Sequence, residues 1–215
     1  MKYLICTIVL CAILLESGAQ EQKKNITHYL FPEFLQGTVL MKKGVTQVAM
    51  LNYNALTEEM IFESNGTKLA LAQLERVDTV FLGGRKFFLQ NGKFLELILH
   101  SKIDLYAEHK CKINDPGKPS GYGTTSQTGA ATTYSTFFSA GRVYEMNLPE
   151  SIETNAFIIY WIKKDGKLFK FISVRQLLKE FPEKASQIKK YMKDHDVSYD
   201  NQSSLVDLIR ESESS

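Results

Sequence analysis

Apolar and polar residues alternate with a period of two along much of the chain between Gln36 and Ile113. Leucines at 95, 97 and 99 alternate with Glu96 and His100. A second stretch follows the same rule, with Ile103, Leu105 and Ala107 in one set and Lys102, Asp104 and Glu108 in the other. Because successive side chains of a strand point to opposite faces, the pattern predicts strands with one buried and one solvated face. Glu96 and Glu108 are expected on the solvated face.

Short turn signals separate these apolar runs. Asn-Gly, Asp-Gly and Gly-Gly pairs tolerate the positive φ angles that tight hairpin turns require. Four signals in succession predict an antiparallel meander, and a fifth predicts a hairpin between the last two strands. The five signals are Lys43-Gly44, Asn65-Gly66, Gly83-Gly84, Asn91-Gly92 and Asp165-Gly166.

The strand pattern resumes beyond residue 141 in RVYEMNL and NAFIIYWIKKDGKLFKFI. FIIYWI is apolar throughout, which predicts a strand covered on both faces. Trp161 is therefore interpreted as a core residue. The alternative is a tryptophan that stacks on a sugar, which is more typical of a loop with polar neighbours.

The period changes from two to 3.6 at Ser173. Ser173 and Gln176 form the Ser-x-x-Gln pattern of a capping box, so a helix is predicted to begin there. Pro182 ends this helix and starts a second one, a third is predicted from about Ser203, and the final ESESS is interpreted as a solvated tail. The apolar positions at helical spacing are Val174, Leu177, Leu178 and Phe181, then Ala185, Ile188 and Met192, then Leu205, Leu208 and Ile209.

These patterns together predict a mainly β, α+β protein. An antiparallel, hairpin-rich sheet, sandwich or partly open barrel carries a small C-terminal helical segment. The expected organisation is a signal peptide at 1–19, a β domain at 20–172 with a Gly-, Ser- and Thr-rich loop at 116–141, and helices with a polar tail at 173–215. We expect the helices to pack on the β domain, because they are too few to form their own core.

The first 19 residues have the layout of a secretory signal peptide. Lys2 precedes an apolar run from Tyr3 to Leu15, and small residues lead to a cleavage site after Ala19. The run is shorter than the about 20 residues of a permanent membrane helix. We therefore expect an extracytoplasmic protein, periplasmic, outer-membrane-associated or secreted, with no transmembrane segment after cleavage.

Cleavage would leave Cys111 as the one cysteine of the mature chain. A lone cysteine cannot form an internal disulfide, so a hydrophobic core must hold the fold. Its parity with Leu105 and Ala107 predicts a buried, unreactive thiol. His109 shares that parity and could add a second zinc ligand, but a zinc site needs at least three protein ligands. We therefore expect no metal and no cofactor.

Residues 116–141 read PGKPSGYGTTSQTGAATTYSTFFSAG, and no charged side chain lies between Lys118 and Arg142. The segment lies inside the strand series and carries four aromatic residues, which argues against an interdomain linker. Loops of this length are usually functional or disordered. Its rings could stack on a ligand and its hydroxyls could hydrogen-bond one. The candidate binding residues are Lys118, Tyr122, Thr124, Thr125, Gln127 and Tyr134.

No catalytic constellation is visible in the sequence. Ser186 and Lys189 match a Ser-x-x-Lys spacing without the companion motifs of penicillin-recognising enzymes. Two same-face carboxylate pairs are separated by about 13 Å along a strand, farther than the about 5 to 10 Å of glycosidase pairs. They are Asp104 with Glu108 and Glu59 with Glu63. A pair that converges from separate strands stays open.

Four stretches resemble a family of exported, signal-peptide-bearing proteins of Gram-negative bacteria. They are LNYNALTEEMIF, VDTVFLGGRKFF, PGKPSGYGTTSQT, and YWIKKDGKLFKF followed by LLKEFPEKASQIKKYM. The resemblance covers nearly all of the chain after the signal peptide. It implies a bacterial, extracytoplasmic setting, and it implies no activity, substrate or site residue.

We expect a non-enzymatic binding or assembly module of the bacterial cell envelope that uses the neutral segment 116–141. One alternative is a subunit of an envelope complex, with FFSAG or an exposed sheet edge as its contact. Another, with less support, is an envelope hydrolase. The partner is unknown: an envelope protein and a glycan both stay open. We expect no nucleic acid, because export separates the chain from it.

Overall fold

In the part of the chain that the structure describes, ten strands form one open sheet in which every neighbouring pair is antiparallel. The structure is a computed structural model that describes residues 28–114, 119–120, 124–125, 144 and 153–214. The predicted α+β class with an antiparallel, hairpin-rich sheet is confirmed. The strands of the sheet are β1 (Leu35–Met41), β2 (Thr46–Asn54), β3 (Glu59–Ser64), β4 (Thr67–Ala70), β5 (Val77–Leu82), β6 (Arg85–Gln90), β7 (Lys93–Leu99), β8 (Asp104–Asn114), β11 (Glu153–Lys164) and β12 (Lys167–Phe171), while β9 (Pro119–Ser120) and β10 (Thr124–Thr125) pair with each other.

Left-handed backbone at both central residues closes four of the predicted hairpins. The φ angles are 51° and 75° at Asn65-Gly66, 56° and 75° at Gly83-Gly84, 51° and 77° at Asn91-Gly92, and 51° and 75° at Asp165-Gly166. Asn, Asp and Gly enter this region at the lowest steric cost. The Lys43-Gly44 signal also marks a real turn, between β1 and β2, with φ of 79° at Gly44.

The turn between β2 and β3 carries no such signal. The side-chain carbonyl of Asn54 accepts hydrogen bonds from the backbone N–H groups of Leu56 and Thr57, at 3.0 and 3.2 Å. An Asn side chain that bonds the backbone two or three residues later replaces the missing glycine. Glu58 then adopts a φ of 61°.

The prediction of a single meander is wrong at one point. β1 to β4 and β5 to β8 are each meanders, but β5 pairs with β1 instead of β4. The connection after β4 has no tight-turn pair. It runs through a 3₁₀ turn at Leu74–Arg76, and the carbonyl of Arg76 accepts a hydrogen bond from the N–H of Lys42 at 2.9 Å. That bond holds the start of β5 beside the end of β1.

The sheet curls until the β2–β3 connection meets β8. The carbonyl of Ala55 accepts a hydrogen bond from the N–H of Cys111 at 2.8 Å, and the hydroxyl of Tyr53 donates to the carbonyl of His109 at 3.3 Å. β8 can receive both contacts because its ladder with β7 ends at the Glu96–Ala107 pair. One backbone hydrogen bond and one side-chain hydrogen bond therefore close the curled half along one side.

The segment before β1 is fastened to β2 by a fully buried asparagine. Asn52 donates from its side-chain nitrogen to the carbonyls of Phe31 and Glu33, both at 2.9 Å. Its side-chain oxygen accepts from the N–H of Phe31 at 3.2 Å and from that of Tyr53 at 2.8 Å. A buried amide is tolerated here because its hydrogen-bonding groups find partners.

Three helices follow the last strand, as predicted: α1 (Val174–Leu178), α2 (Ala185–Asp194) and α3 (Gln202–Ser214). The hydroxyl of Ser173 accepts from the N–H of Gln176 at 3.3 Å, and the side chain of Gln176 accepts from the N–H of Ile172 at 2.8 Å. A 3₁₀ turn at Pro182–Lys184 leads into α2. No helix within the described ranges is long and apolar enough to cross a membrane.

Two hydrophobic clusters lie on the same inner face of the sheet. The first fills the curled half, and the second lies between the sheet and the three helices. The first contains Phe31, Val39, Leu51, Tyr53, Ala55, Met60, Val77, Val80, Leu82, Phe87, Phe94 and Cys111. The second contains Leu99, Ile103, Leu105, Ala107, Tyr160, Ile162, Phe171, Val174, Leu177, Phe181, Ile188, Leu205, Leu208 and Ile209. The helices thus pack on the β domain, as expected for a helical segment without its own core.

The prediction of one solvated face is wrong for β7 and β8. Glu96 and Glu108 are both buried, with exposed fractions of 8% and 1%. Glu96 lies on the inner face, because it pairs with Ala107, whereas Glu108 lies on the outer face. A register shift between Leu97 and Leu99 moves Leu99 onto the inner face and breaks the simple alternation.

The prediction of a solvated C-terminal tail is also wrong. α3 continues to Ser214, and Ser212 is buried. The carboxylate of Glu213 accepts hydrogen bonds from the N–H of Ile103 and the hydroxyl of Ser101, both at 2.7 Å. A polar composition does not prevent docking when each polar group finds a partner in the body of the protein.

We predict that Gly83→Ala destabilises the fold more than Gly84→Ala. Both residues have positive φ, so each alanine costs about 1 kcal/mol of backbone strain. A Cβ at residue 83 would also lie 2.5 Å from a ring carbon of Phe31, whereas nothing lies within 4 Å of one at residue 84. We expect losses of about 2 to 4 and about 1 kcal/mol, respectively, in the free energy of unfolding measured with urea. Equal losses would contradict the packing of Phe31 on this turn.

Candidate binding site

β8 and β11 form the longest ladder of the described sheet, with eleven residue pairs. The ladder ends where Asn114 lies opposite Glu153. Residues 115–152, which include the neutral segment 116–141, therefore leave and re-enter the sheet at one place, on two adjacent strands. The segment connects two paired strands of one sheet and is not an interdomain linker.

The structure places two of the six candidate binding residues. Thr124 and Thr125 form β10, and they lie opposite Ser120 and Pro119 of β9. The other four candidates lie outside the described residues: Lys118, Tyr122, Gln127 and Tyr134. The binding role of all six stays a prediction.

Four charged side chains of alternating sign form a cluster at the outer face of β7 and β8. Lys93 Nζ lies 2.5 Å from Glu108 Oε1 and 3.0 Å from Glu58 Oε2. Lys110 Nζ lies 3.5 Å from Glu108 Oε1, and it also contacts Glu58 Oε1 directly. Because Glu58 belongs to the β2–β3 turn, this cluster fastens the curled half to the β8–β11 ladder.

Trp161 belongs to the same cluster and not to a core. It is half-buried on the outer face, opposite Tyr106, and its indole N–H donates to Glu108 Oε2 at 2.8 Å. Lys170 Nζ lies 6.0 Å from the ring centroid. The core interpretation of Trp161 is therefore wrong, because the inner positions of β11 are taken by Tyr160 and Ile162.

The ionisation of the buried carboxylate follows from its partners. Burial raises the pKa of Glu108, but hydrogen bonds from Lys93 and Trp161 and the charges of Lys93 and Lys110 outweigh burial and lower it overall. The hydrogen bond to Glu108 in turn raises the pKa of Lys93. Both shifts stabilise the charged forms near neutral pH. Groups held in this way brace a structure and are poorly suited to exchange protons with a substrate.

A second buried acidic group lies on the inner face, at the junction of the two hydrophobic clusters. Glu96 Oε2 lies 2.5 Å from His109 Nε2 and 3.1 Å from a guanidinium nitrogen of Arg85. The ring of Tyr53 meets the His109 ring edge-on, with centroids 6.4 Å apart. The carboxylate is thus held between a histidine and an arginine.

His109 and Cys111 share one strand face, as their parity predicts. In the described residues no group of three or more His, Cys, Asp or Glu side chains could hold a metal ion. Cys111 is buried in the first cluster, and burial raises the pKa of its thiol. The prediction that the Cys111 thiol is buried is confirmed. A raised pKa also disfavours the thiolate, which is the reactive form.

Two of the four residues of the charged cluster could be grouped from the sequence alone. Glu108 and Lys110 are two residues apart and so share a strand face, which is readable without a structure. Lys93 and Glu58 could not be assigned to them, because both depend on strand register and on the curl of the sheet. The sequence predicts the strand that carries Trp161, but its apolar run does not show that the outer face of this strand is only half-buried at Trp161.

Comparisons with protein-family models, with curated proteins and with solved structures each found no significant match to this chain.

We predict that Glu108→Gln lowers the free energy of unfolding by about 1 to 3 kcal/mol at pH 7, because the neutral amide replaces a buried carboxylate that accepts charge-assisted hydrogen bonds. The folded-state pKa of Glu108 lies below its ordinary value of 4.5. Ionised Glu108 therefore stabilises the fold above pH 4.5, and this contribution is lost as the pH falls through the lower folded-state pKa. The difference between wild type and variant should shrink in acid, as measured by urea unfolding at a series of pH values.

The matched control is Glu63→Gln, which removes an exposed carboxylate on β3 opposite Lys68. Its effect should stay below about 0.5 kcal/mol. A pH-independent difference between wild type and Glu108→Gln would show that the charge of Glu108 does not stabilise the fold.

Proposed function

We propose that this chain is a non-enzymatic binding or assembly module of the bacterial cell envelope, and that the neutral segment 116–141 contacts the partner. The observation that carries the proposal is the β8–β11 ladder, on which Asn114 and Glu153 end side by side. Binding segments are commonly held by a rigid scaffold. Here the scaffold is the ladder between the adjacent strands β8 and β11.

The stem beneath the segment is braced on both faces. On the outer face, Glu108 of β8 accepts from Lys93 of β7 and from Trp161 of β11. On the inner face, Leu105 and Ile162 pack in the second hydrophobic cluster. A stem fixed in this way limits the conformational entropy that the tethered segment loses when it binds.

The composition of the segment favours a neutral partner surface. It offers threonine and serine hydroxyls, glutamine and aromatic rings, and no charged side chain lies between Lys118 and Arg142. Tyrosine, serine and glycine together provide adaptable hydrogen bonding with rigid contact area. A glycan or an uncharged protein surface fits this chemistry. The envelope location rests on the signal-peptide layout of residues 1–19 and on the family resemblance.

The charged pairs support binding over hydrolysis. Glu108 and Lys93 hold each other in their charged forms, and Glu96 is held between His109 and Arg85. A hydrolase needs a carboxyl or hydroxyl group aimed at a substrate cleft with an adjusted pKa. The carboxylates of Glu108 and Glu96 are instead bonded to neighbouring side chains of the protein.

We predict that replacing residues 119–141 with a Gly-Ser linker of equal length removes partner capture and keeps the fold. The stem contacts stay intact, so the free energy of unfolding should change by less than about 1 kcal/mol. The measurement is a crosslinking pull-down from native envelope fractions, with wild type and variant side by side and urea unfolding of each.

The surface control is a double alanine variant of Gln202 and Ser203, both exposed at the start of α3. It should capture the same partners as wild type. Unchanged capture by the linker variant would overturn the role of the segment.

A second candidate function, a subunit of an envelope complex, is favoured by an apolar patch on the outer face. Val48 and Phe81 flank Thr38 in one row across β2, β1 and β5. They are 62% and 38% exposed, and Met50, two residues along β2, is 44% exposed. Contiguous exposed apolar residues on a sheet are typical of protein contacts.

We predict that, if this patch is a subunit contact, Val48→Glu reduces self-association or complex formation without a loss of stability. A charge on an exposed position costs the folded chain little, but it must be desolvated in an interface. Light scattering after size-exclusion chromatography checks the mass, with Thr67→Glu on the exposed edge strand β4 as the control. A wild-type monomer that crosslinks to no partner would count against this candidate.

A further inference from the structure

β11 is much longer than the strand that covers its outer edge. It has twelve residues, whereas β12 has five and pairs only with Tyr160 to Lys164. Within the described part of the chain, residues 155–159 pair with β8 on one side and with no strand on the other. Ala156, in the middle of this stretch, is exposed.

Two hydrogen bonds establish which backbone groups point away from β8. The hydroxyl of Tyr199 donates to the carbonyl of Ile158 at 3.0 Å and accepts from the N–H of Tyr160 at 3.4 Å. Because backbone groups of alternate residues point to the same side of a strand, Ala156 must also direct its N–H and C=O outward. The N–H of its partner Cys111 points to Ala55, which agrees with a non-hydrogen-bonded Ala156–Cys111 pair.

An open cleft of about 700 Å³ lies beside this edge. Apolar side chains line it on both sides of the strand, including Phe157, Ile158 and Ile172, and Ile172 is 57% exposed. Tyr199 lies at one end, where its hydroxyl occupies the position that a further backbone group would take. Lys170 and Asp200 contribute one charge of each sign. The cleft is therefore apolar with no net charge from its lining.

The outermost strands, β4 and β12, carry the usual protection against strand pairing, and the described residues 154–159 of this edge carry neither a lysine nor a proline. The edge strand β4 is only four residues long and carries Lys68, and β12 carries Lys167 and Lys170. Short length and lysines discourage pairing with other chains. Residues 154–162 read TNAFIIYWI, without a charge or a proline.

We propose that the open edge of β11 binds an extended polypeptide segment of another protein by strand addition. The bound segment pairs with the N–H and C=O of Ala156 and with the N–H of Ile158, whose carbonyl is bonded to Tyr199, and it places uncharged, apolar side chains in the cleft. Backbone donors and acceptors that repeat every second residue are matched in register only by another extended backbone. A glycan or a lipid could hydrogen-bond single backbone groups of this edge, but it has no donors and acceptors that repeat with the same spacing. The proposal rests on the binding role above and gives the partner a chemical class.

The first test uses a panel of eight-residue peptides in which threonine alternates with valine, isoleucine, phenylalanine or tyrosine. Binding to the full-length mature chain is measured by fluorescence anisotropy. The controls are the same peptides N-methylated at every peptide nitrogen, which keep the side chains and lose the donors. We expect N-methylation to lower affinity at least about tenfold, because each lost bond changes affinity about fivefold. Equal binding of both forms, or no binding by any peptide at millimolar concentration, would overturn the proposal.

The second test changes the edge itself. Ala156→Pro removes an outward N–H and leaves the bonds to β8, so it should fold, since proline is tolerated at a strand edge. It should weaken peptide binding about fivefold or more, whereas Ala156→Val, which keeps the N–H, should not.

Hydrogen exchange of the wild-type chain provides a readout that does not depend on folding of the variant. The amides of Ala156 and Ile158 should exchange fast in the free chain and slow down with peptide, while those of Asn155 and Phe157 stay protected in both. Protected Ala156 and Ile158 amides in the free chain would refute an open edge.

These outcomes separate the edge from the neutral segment. The Gly-Ser linker variant retains β11 and should still bind the peptides. Loss of peptide binding in Ala156→Pro with unchanged capture of the envelope partner would keep the proposed function and assign the edge a different polypeptide. If the peptides do not bind but the envelope partner is still captured, only the proposed strand addition at β11 is refuted.

Discussion

The whole structure depends on β8, because its inner face belongs to both hydrophobic clusters. Leu105 and Ala107 pack against the helices, while Cys111 packs in the curled half of the sheet. A single strand can contribute to both clusters only if the sheet is continuous. The same face of β8 must also point inward along all eleven of its residues. The β11 ladder on one edge and Ala55 on the other hold it in that position.

Glu96 and Glu108 place two buried carboxylates next to the hydrophobic clusters. Glu96 lies where the two clusters meet, and Glu108 lies behind it on the opposite face, one strand away. Each is compensated by cations from neighbouring strands, Arg85 for the first and Lys93 for the second. An apolar residue at position 96 would leave Arg85 without this carboxylate, and one at position 108 would leave Lys93 with Glu58 alone. These sites therefore also favour one strand register over the alternatives.

Local chemistry made much of the fold predictable. The Asn-Gly, Asp-Gly and Gly-Gly pairs demand left-handed backbone, and Ser173 satisfies a helix N-terminus, so hairpins and helices could be read from short stretches. The position of β5 could not, because the choice between β1 and β4 as its neighbour is decided by contacts between distant residues. The same holds for Glu96 and Glu108: alternation predicts the side of a strand, and it does not predict whether that side is covered. For the candidate site, the sequence identified the inserted segment between paired strands, but not the cations and the tryptophan that brace its stem.

The closure of the curled half also gives the chain an internal chemical reporter. Cys111 is the one cysteine after residue 11, and its N–H is bonded to Ala55 at the place where the curl closes. Its thiol is buried and its pKa is raised, so alkylating reagents meet neither an exposed sulfur nor a thiolate. Separation of the β2–β3 connection from β8 would break the Cys111–Ala55 bond and uncover the residues around the sulfur. The modification rate of this single atom therefore reports local opening around the closure of the curled half.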